Sequence, residues 1–191
     1  DAYTDLGIAR RFGGAAAAYS LRDVGAMNGR VVEVRRSSDN AVEDFTANQI
    51  SSGAVETFVG GSNDGFVSKW YDQSGNGKDI IQATTGDQPK IVSSGSLITS
   101  ANGLPSISFA DDAVTLEREE LLTSQLSAYF FVYDAEAGDS TEAQVVMRQG
   151  SNYRIAASVL TSGRIRSQLR DAAGDAVFAD RGGALATEGT I

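Results

Sequence analysis

The sequence predicts an all-β protein in which antiparallel sheets pack face to face as a β-sandwich. The chain has 191 residues with 21 Gly and only two Pro. Clusters of Gly, Ser, Asn and Asp recur along it as turn signals. Short apolar or alternating segments lie between these clusters, and helical periodicity is scarce. Many short strands joined by turns are typical of sandwich folds.

The composition narrows the possible chemistry. The chain contains no Cys and no His, which excludes disulfides, thiolate nucleophiles, zinc–thiolate sites and a Ser–His–Asp triad. Catalysis would have to use carboxylates, Tyr, Lys or a hard cation. A net charge of −9 disfavours nucleic acid and anionic membrane surfaces as partners. No apolar run approaches the roughly 18 to 20 residues of a membrane span, so we expect no membrane insertion.

Residues 1–16 are predicted to form an N-terminal arm that precedes the sandwich. Apolar residues at positions 6, 8, 9 and 12 lie near helical spacing, and Gly13–Gly14 then interrupts the pattern. A short helix and an extended arm that packs on a neighbour both remain open. The sandwich is expected to occupy residues 17–191. Because the terminal ALATEGTI resembles the lead-in to another strand, either further strands from outside the chain or the early strands themselves would close the sheets.

The first half contains several strand signals and one helical signal. Asn28–Gly29 is a favoured dipeptide of tight turns, and SSDNAVED (37–44) is a second turn cluster. Residues 46–60 are the most helix-like part after the arm. The pattern turns to β from Tyr19, and strands are predicted at VVEVRR (31–36), GFVSKWYD (65–72) and PKIV (89–92), with a turn plus strand at GNGKDIIQAT (75–84).

The second half contains longer strand signals. LPSISFA (104–110) alternates, VTLERE (114–119) follows, and LSAYFFVYDA (126–135) is apolar enough to be buried on both faces of a sheet. Four further strands are predicted, within AQVVMRQG (143–150), NYRIAASVL (152–160), GRIRSQLRD (163–171) and AVFADRG (176–182).

The strongest candidate site is WYDQSGNG (70–77), which contains the only Trp. Trp70 and Tyr71 could stack on a sugar ring, and Trp70, Tyr71 and Asp72 are the candidate carbohydrate-binding residues. Adjacent strand residues point to opposite faces, so at most one of the two aromatic residues faces a given surface. For Trp70 we favour the interpretation that it fills the core with its N–H on a backbone carbonyl. Asp72 could also bind Ca²⁺ with Asn76 and Asp79. We favour Asp72 as a residue that bonds the backbone of its own turn or pairs with Arg35 or Arg36.

Two other charged groups are candidates. Arg35 and Arg36, near Asp39 and Asn40, could recognise a carboxylate or phosphate, although an internally paired cluster at a strand end is the favoured interpretation. The acidic residues of 111–120 could provide the paired carboxylates of a glycoside hydrolase, although solvent-facing loops more often carry such groups. These are Asp111, Asp112, Glu117, Glu119 and Glu120.

Five segments in order carry a family resemblance. They are AAYSLR (17–22), VRRSSDN (34–40), FVSKWYDQSGNGKD (66–79), QATTGDQPKIV (82–92) and GLPSISFADD (103–112). The chain resembles the concanavalin A-like (laminin G-like) jelly-roll domains of bacteriophage virion proteins. It is also similar to the first part of the catalytic domain of arabinofuranosidase B-type enzymes.

The resemblance implies a non-enzymatic structural protein on the virion surface, as a capsid decoration or tail-fibre adhesion module. The arm would contact other virion proteins, copies of the chain would form a homo-oligomer, and host-surface glycans would be ligands. No catalytic residue, metal ligand or cofactor is carried over from the family. The alternatives are a secreted arabinofuranosidase-type hydrolase, with its acid and base outside the matched segments, and a calcium-assisted lectin.

Overall fold

The computed structural model describes residues 15–25 and 29–109, together with four strands between residues 145 and 181. The chain divides into two compact units, Asp1–Arg118 and Glu119–Ile191. The described residues are rich in strand, every strand pairing among them is antiparallel, and the helices are few and short. This secondary structure agrees with the predicted all-β class. No helix in the described ranges is long and apolar enough to cross a membrane.

The first unit contains a six-stranded sheet, ordered β2-β1-β3-β5-β6 with β4 paired to β3. The strands are β1 (Arg30–Arg36), β2 (Val42–Thr46), β3 (Gly65–Trp70), β4 (Ile80–Ile81), β5 (Lys90–Ser93) and β6 (Ser96–Leu97). The turn predicted over residues 37–44 is too long, because β2 begins at Val42. The strand predicted over 104–110 is wrong for residues 104–109. These residues form only isolated bridges, at Pro105 and Ser108.

The helical signal over residues 46–60 is confirmed as two short helices, α1 (Ala47–Ser51) and α2 (Ala54–Val59). Thr46 starts α1 with a capping box: its hydroxyl accepts from the Gln49 N–H at 3.2 Å, and the Gln49 side chain accepts from the Thr46 N–H at 2.9 Å. Gly53, at φ +80°, allows the chain to turn between the two helices. A 3₁₀ turn follows later at Thr85–Asp87.

The core of the first unit lies between one face of the sheet and the two helices. Val32, on that face, is opposite Phe45 of β2 and Trp70 of β3. The first unit has a cluster of ten buried apolar residues, three of them from the helices: Val31, Val32, Val34, Phe45, Ile50, Val55, Val59, Val67, Ile91 and Val92. On the other face, here called the polar face, Glu33 is opposite Asp44 and Lys69.

The described strands of the second unit form a four-stranded antiparallel sheet in the order β10-β9-β8-β7. They are β7 (Val145–Gln149), β8 (Tyr153–Val159), β9 (Ile165–Arg170) and β10 (Ala176–Arg181). Each falls within one of the four predicted segments. The predicted strands at 114–119 and 126–135, most of the arm, and Asn28 of the predicted tight turn lie outside the described residues.

Candidate functional site

Two segments of the first unit meet at the WYDQSGNG motif. Residues 70–79, here called the corner, leave the end of β3 and turn back toward β4. Residues 15–25, here called the strap, have no regular secondary structure and lie along the corner. The backbone N–H of Gln73 donates to the Ala18 carbonyl at 2.8 Å. The motif is therefore a contact between two parts of the chain that are distant in sequence.

Asp72 is the centre of this contact, because its carboxylate accepts four hydrogen bonds. One oxygen accepts from the backbone N–H groups of Ala18 and Ser74, at 2.9 and 2.8 Å. The other accepts from the Ser74 hydroxyl at 2.8 Å and the Lys78 N–H at 3.0 Å. Burial raises the pKa of Asp72, but the hydrogen bonds from Ser74, Ala18 and Lys78 together lower it by more. The pKa of this carboxyl group is therefore below its usual value. The prediction that Asp72 bonds the backbone of its turn is confirmed.

Gln73 and Asn76 bind the strap through its backbone. The Gln73 side-chain oxygen accepts from the N–H groups of Val24 and Gly25, at 2.8 and 3.4 Å, and its amide donates to the Ser20 carbonyl at 2.7 Å. The Asn76 amide donates to the carbonyls of residues 15 and 16, at 2.8 and 3.2 Å. Neither residue was predicted in this role. The signal available in the sequence was that both lie in the same quoted motif as Asp72.

Trp70 lies against the core rather than on an open surface. Its ring packs on the core cluster and is 5.9 Å, centroid to centroid, from the ring of Tyr19 in the strap. The Tyr19 hydroxyl in turn donates to the Lys78 carbonyl. The predicted backbone partner for the Trp70 indole N–H is wrong for the described residues, since that buried atom has no acceptor there. Trp70 thus joins the strap to the core by ring contact alone.

Tyr71 points to the polar face and is more buried than Trp70, with 8% of its surface exposed. Its hydroxyl donates to Asp44 at 2.6 Å. The cationic groups of Arg30 and Lys69 lie 4.6 and 5.2 Å from its ring centroid. Burial and the hydrogen bond to Asp44 raise the pKa of Tyr71 well above its usual value. The ring is therefore already in contact with cations of the protein itself.

A cleft of about 320 Å³ opens between the strap and the polar face. Asp23 and Gly25 of the strap line it, together with Arg30, Tyr71 and Asp79. Asp72 reaches its wall, whereas Trp70 does not. The Asp79 carboxylate accepts from the Asp72 N–H at 3.0 Å. In the described ranges no group of three or more acidic residues has the arrangement of a metal site.

The predicted pairing within the arginine cluster is confirmed. Arg36 donates to Asp39 at 2.7 Å. Arg35 is buried and donates to the side-chain oxygens of Gln88 at 2.7 Å and Asn40 at 2.9 Å, and to a backbone carbonyl of the 3₁₀ turn at 3.2 Å. Burial lowers the pKa of Arg35. The acidic candidates between residues 111 and 120 lie outside the described residues.

All five segments that carry the resemblance are linked directly. The strap segment 17–22 bonds to 72–79 through Asp72 and Gln73, and segment 34–40 bonds to 82–92 through Arg35 and Gln88. Lys90 in turn exchanges backbone hydrogen bonds with Ser108 of the fifth segment, at 3.1 and 2.8 Å. β1 and β3, which belong to these segments, are paired in the sheet. These hydrogen bonds hold the loops of the first unit to one another and to its sheet.

Comparison of the chain with protein-family models, curated proteins and solved structures gives no significant match.

Proposed function

We propose that the protein is a non-enzymatic structural protein of a virion surface, either a capsid decoration or a tail-fibre module. Its fold would be a concanavalin A-like jelly roll, with residues 1–16 as the arm that contacts other virion proteins. One observation carries the proposal: the polar groups of WYDQSGNG hold the strap and the turn together. Polar groups that bond the backbone in this way stabilise the fold, and such a use suits a structural protein.

The state of Asp72 supports a non-catalytic role. A general acid must hold a proton near the working pH and deliver it to the substrate. Asp72 has both oxygens occupied by donors, and those donors lower its pKa. Glycoside hydrolysis also needs a second carboxylate at a defined separation. The motif therefore offers a poor acid for the hydrolase alternative.

The proposed ligands are host-surface glycans, and the cleft is the proposed place for them. Tyr71 and Asp72, two of the three residues predicted to bind sugar, lie in its wall. Arg30 extends from the rim, with 61% of its side chain exposed. Because the Tyr71 ring already contacts Arg30 and Lys69, recognition in the cleft would depend on hydrogen bonds to sugar hydroxyls more than on stacking.

Two measurements on the purified chain separate this function from its alternatives. We expect no release of 4-nitrophenol from 4-nitrophenyl α-arabinofuranoside, and capture of the chain on arrayed bacterial glycans. Arg30→Ala should weaken that capture, whereas Arg22→Ala, an exposed strap residue absent from the cleft lining, should not. Turnover of the arabinofuranoside would overturn the structural role.

The virion location and the cation requirement need their own tests. Antibodies against the chain should label the surface of intact particles, and failure to label particles that contain the chain would contradict a surface role. Under the proposal, EDTA in calcium-containing buffer leaves the melting temperature unchanged. A fall of several degrees on chelation would favour the calcium-assisted lectin.

A further inference from the structure

We propose that the corner is a docking site for the strap of a second copy of this chain, so that two subunits exchange residues 15–25 reciprocally. The inference rests on the assembly role proposed above for its biological use, and it names the surfaces that would join the copies. Exchange of an identical element between subunits creates a dimer without any new kind of contact. In the closed form, each corner binds the strap of its own chain.

The corner recognises the strap through backbone atoms. Asp72, Gln73 and Asn76 make six hydrogen bonds to strap N–H and carbonyl groups within the described residues. All three side chains belong to the corner, and every strap atom in these bonds belongs to the main chain. An extended segment with small side chains satisfies such a site, and AAAAYS (15–20) is one. The same segment of another copy presents identical atoms in the same order.

The strap can leave without opening the core. None of the ten buried core residues belongs to it, and within the described ranges its apolar contacts with the core and the corner are the packing of Leu21 at the edge of the core and of Tyr19 on Trp70. Segments with few buried apolar contacts open at lower free energy than the core of the same domain. Release of the strap therefore leaves a folded sheet with an unoccupied corner, which is the state that a second copy would bind.

The strap and the corner are far apart in sequence, separated by 48 to 61 residues in these bonds. In the closed form the strap is present at the high effective concentration of a tethered ligand. Dilute protein should therefore be monomeric, and exchange should increase with protein concentration. A surface that gathers many copies would shift the equilibrium in the same direction.

A substitution at Gly25 can displace the strap without removing any polar group from the corner. A Cβ atom at this position would lie 2.8 Å from the Gln73 carbonyl oxygen and 3.3 Å from the Gln73 Cβ. The variant Gly25→Ala therefore has a displaced strap and an intact corner. The variant Gln73→Leu has an intact strap and a corner that keeps only three of the six side-chain bonds to it. Gly86→Ala is the matched control, because a Cβ there meets nothing within 4 Å.

The test is complementation between the two variants. Gly25→Ala alone and Gln73→Leu alone should each be monomeric, with a shifted fluorescence maximum of the single Trp as the strap leaves its ring. Mixed one to one at about 50 μM, the intact strap of Gln73→Leu should occupy the intact corner of Gly25→Ala. Light scattering after size-exclusion chromatography should then show a heterodimer. When the Gly86→Ala control is mixed with either variant, the amount of dimer should not exceed that of the wild type.

The absence of a heterodimer from two folded variants with released straps would overturn the exchange. Should either variant fail to fold, single-cysteine chains decide, because the wild type has no Cys. Ala15→Cys mixed with Asn76→Cys joins positions in contact across the docking site. Under mild oxidation, a disulfide-linked heterodimer supports the proposal, and no heterodimer above the level of a Glu43→Cys control contradicts it. Either result leaves the glycan and surface-labelling tests unaffected.

Discussion

Replacing Asp72 by Asn tests the main structural conclusion, because the change is isosteric and removes only charge and acceptor capacity. In the wild type the two carboxylate oxygens accept four bonds at 2.8 to 3.0 Å. The amide oxygen keeps the bonds from the Ala18 and Ser74 N–H groups, and the NH2 group replaces the oxygen that accepts from the Lys78 N–H and the Ser74 hydroxyl. The Lys78 bond is lost, the Ser74 hydroxyl must turn from donor to acceptor, and the three remaining bonds are no longer made to a charged group. Hydrogen bonds to charged groups contribute about 1.5 to 3 kcal/mol each. We expect the free energy of unfolding to fall by about 3 kcal/mol, a value within that range for one lost bond plus partial weakening of three.

Urea denaturation followed by the fluorescence of Trp70 measures this loss, because the only Trp is the first residue of the corner and contacts the strap. With a slope of about 2 kcal/mol per molar urea, the midpoint should fall by about 1.5 M. Glu43→Gln, an exposed residue of β2, is the control and should change stability by no more than about 0.5 kcal/mol. If Asp72→Asn and Glu43→Gln have the same midpoint, the four bonds do not stabilise the fold and the scaffold argument fails.

Three further predictions concern pH, close packing and the arginine cluster. The folded pKa of Asp72 is below its unfolded value of about 3.9. The stability that its charge contributes is therefore complete above pH about 3.9 and is lost as the pH falls through the folded pKa. Between about pH 5 and 2, the urea midpoint of Asp72→Asn should consequently fall less than that of the wild type. Gly95→Ala should lower the free energy of unfolding by more than about 3 kcal/mol, and the melting temperature with it, because φ is +81° and the new Cβ would clash with the Gly61 carbonyl oxygen. Gly86→Ala, the control, should be neutral or slightly stabilising. Equal melting temperatures for the two variants would show that the space around Gly95 is not tightly packed. Arg35→Lys should lower the free energy of thermal unfolding by about 2 kcal/mol, because an ammonium group cannot reproduce the three directed bonds of the guanidinium. Arg30, whose side chain is 61% exposed, provides the control, and Arg30→Lys should cost less than about 1 kcal/mol. A larger loss for Arg30→Lys than for Arg35→Lys would contradict the assigned burial.

Local pattern was sufficient to predict most of the described secondary structure. Alternation identified β1 and β3, and β7 to β10 fall within predicted segments, because a half-buried strand imposes a period of two on its residues. The helical signal before Gly60 was sufficient for α1 and α2. β2 was missed because its sequence, VEDFT, has only Val42 and Phe45 as apolar residues. Its place at the sheet edge is decided by pairing with β1, a long-range contact without a local pattern.

The candidate site shows a similar division. The Gly–Asn–Gly turn after Asp72 predicted that its carboxylate bonds backbone groups, since short acidic side chains favour such bonds in turns. The sequence did not reveal that Gln73 and Asn76 bind a segment some 50 to 60 residues earlier. It also favoured Trp70 as the buried aromatic residue, whereas Tyr71 is the more buried of the two.

Composition and short-range periodicity thus determine the strand-rich class, the turns and the exclusion of thiol and imidazole chemistry, because these depend only on which residues are present and on neighbours a few positions apart. Only the tertiary structure decides that the strap lies on the corner, that cations cover the Tyr71 ring and that Arg35 is buried among neutral acceptors. Each of these contacts joins residues brought together by chain folding, and their geometry depends on how the sheet closes over its core.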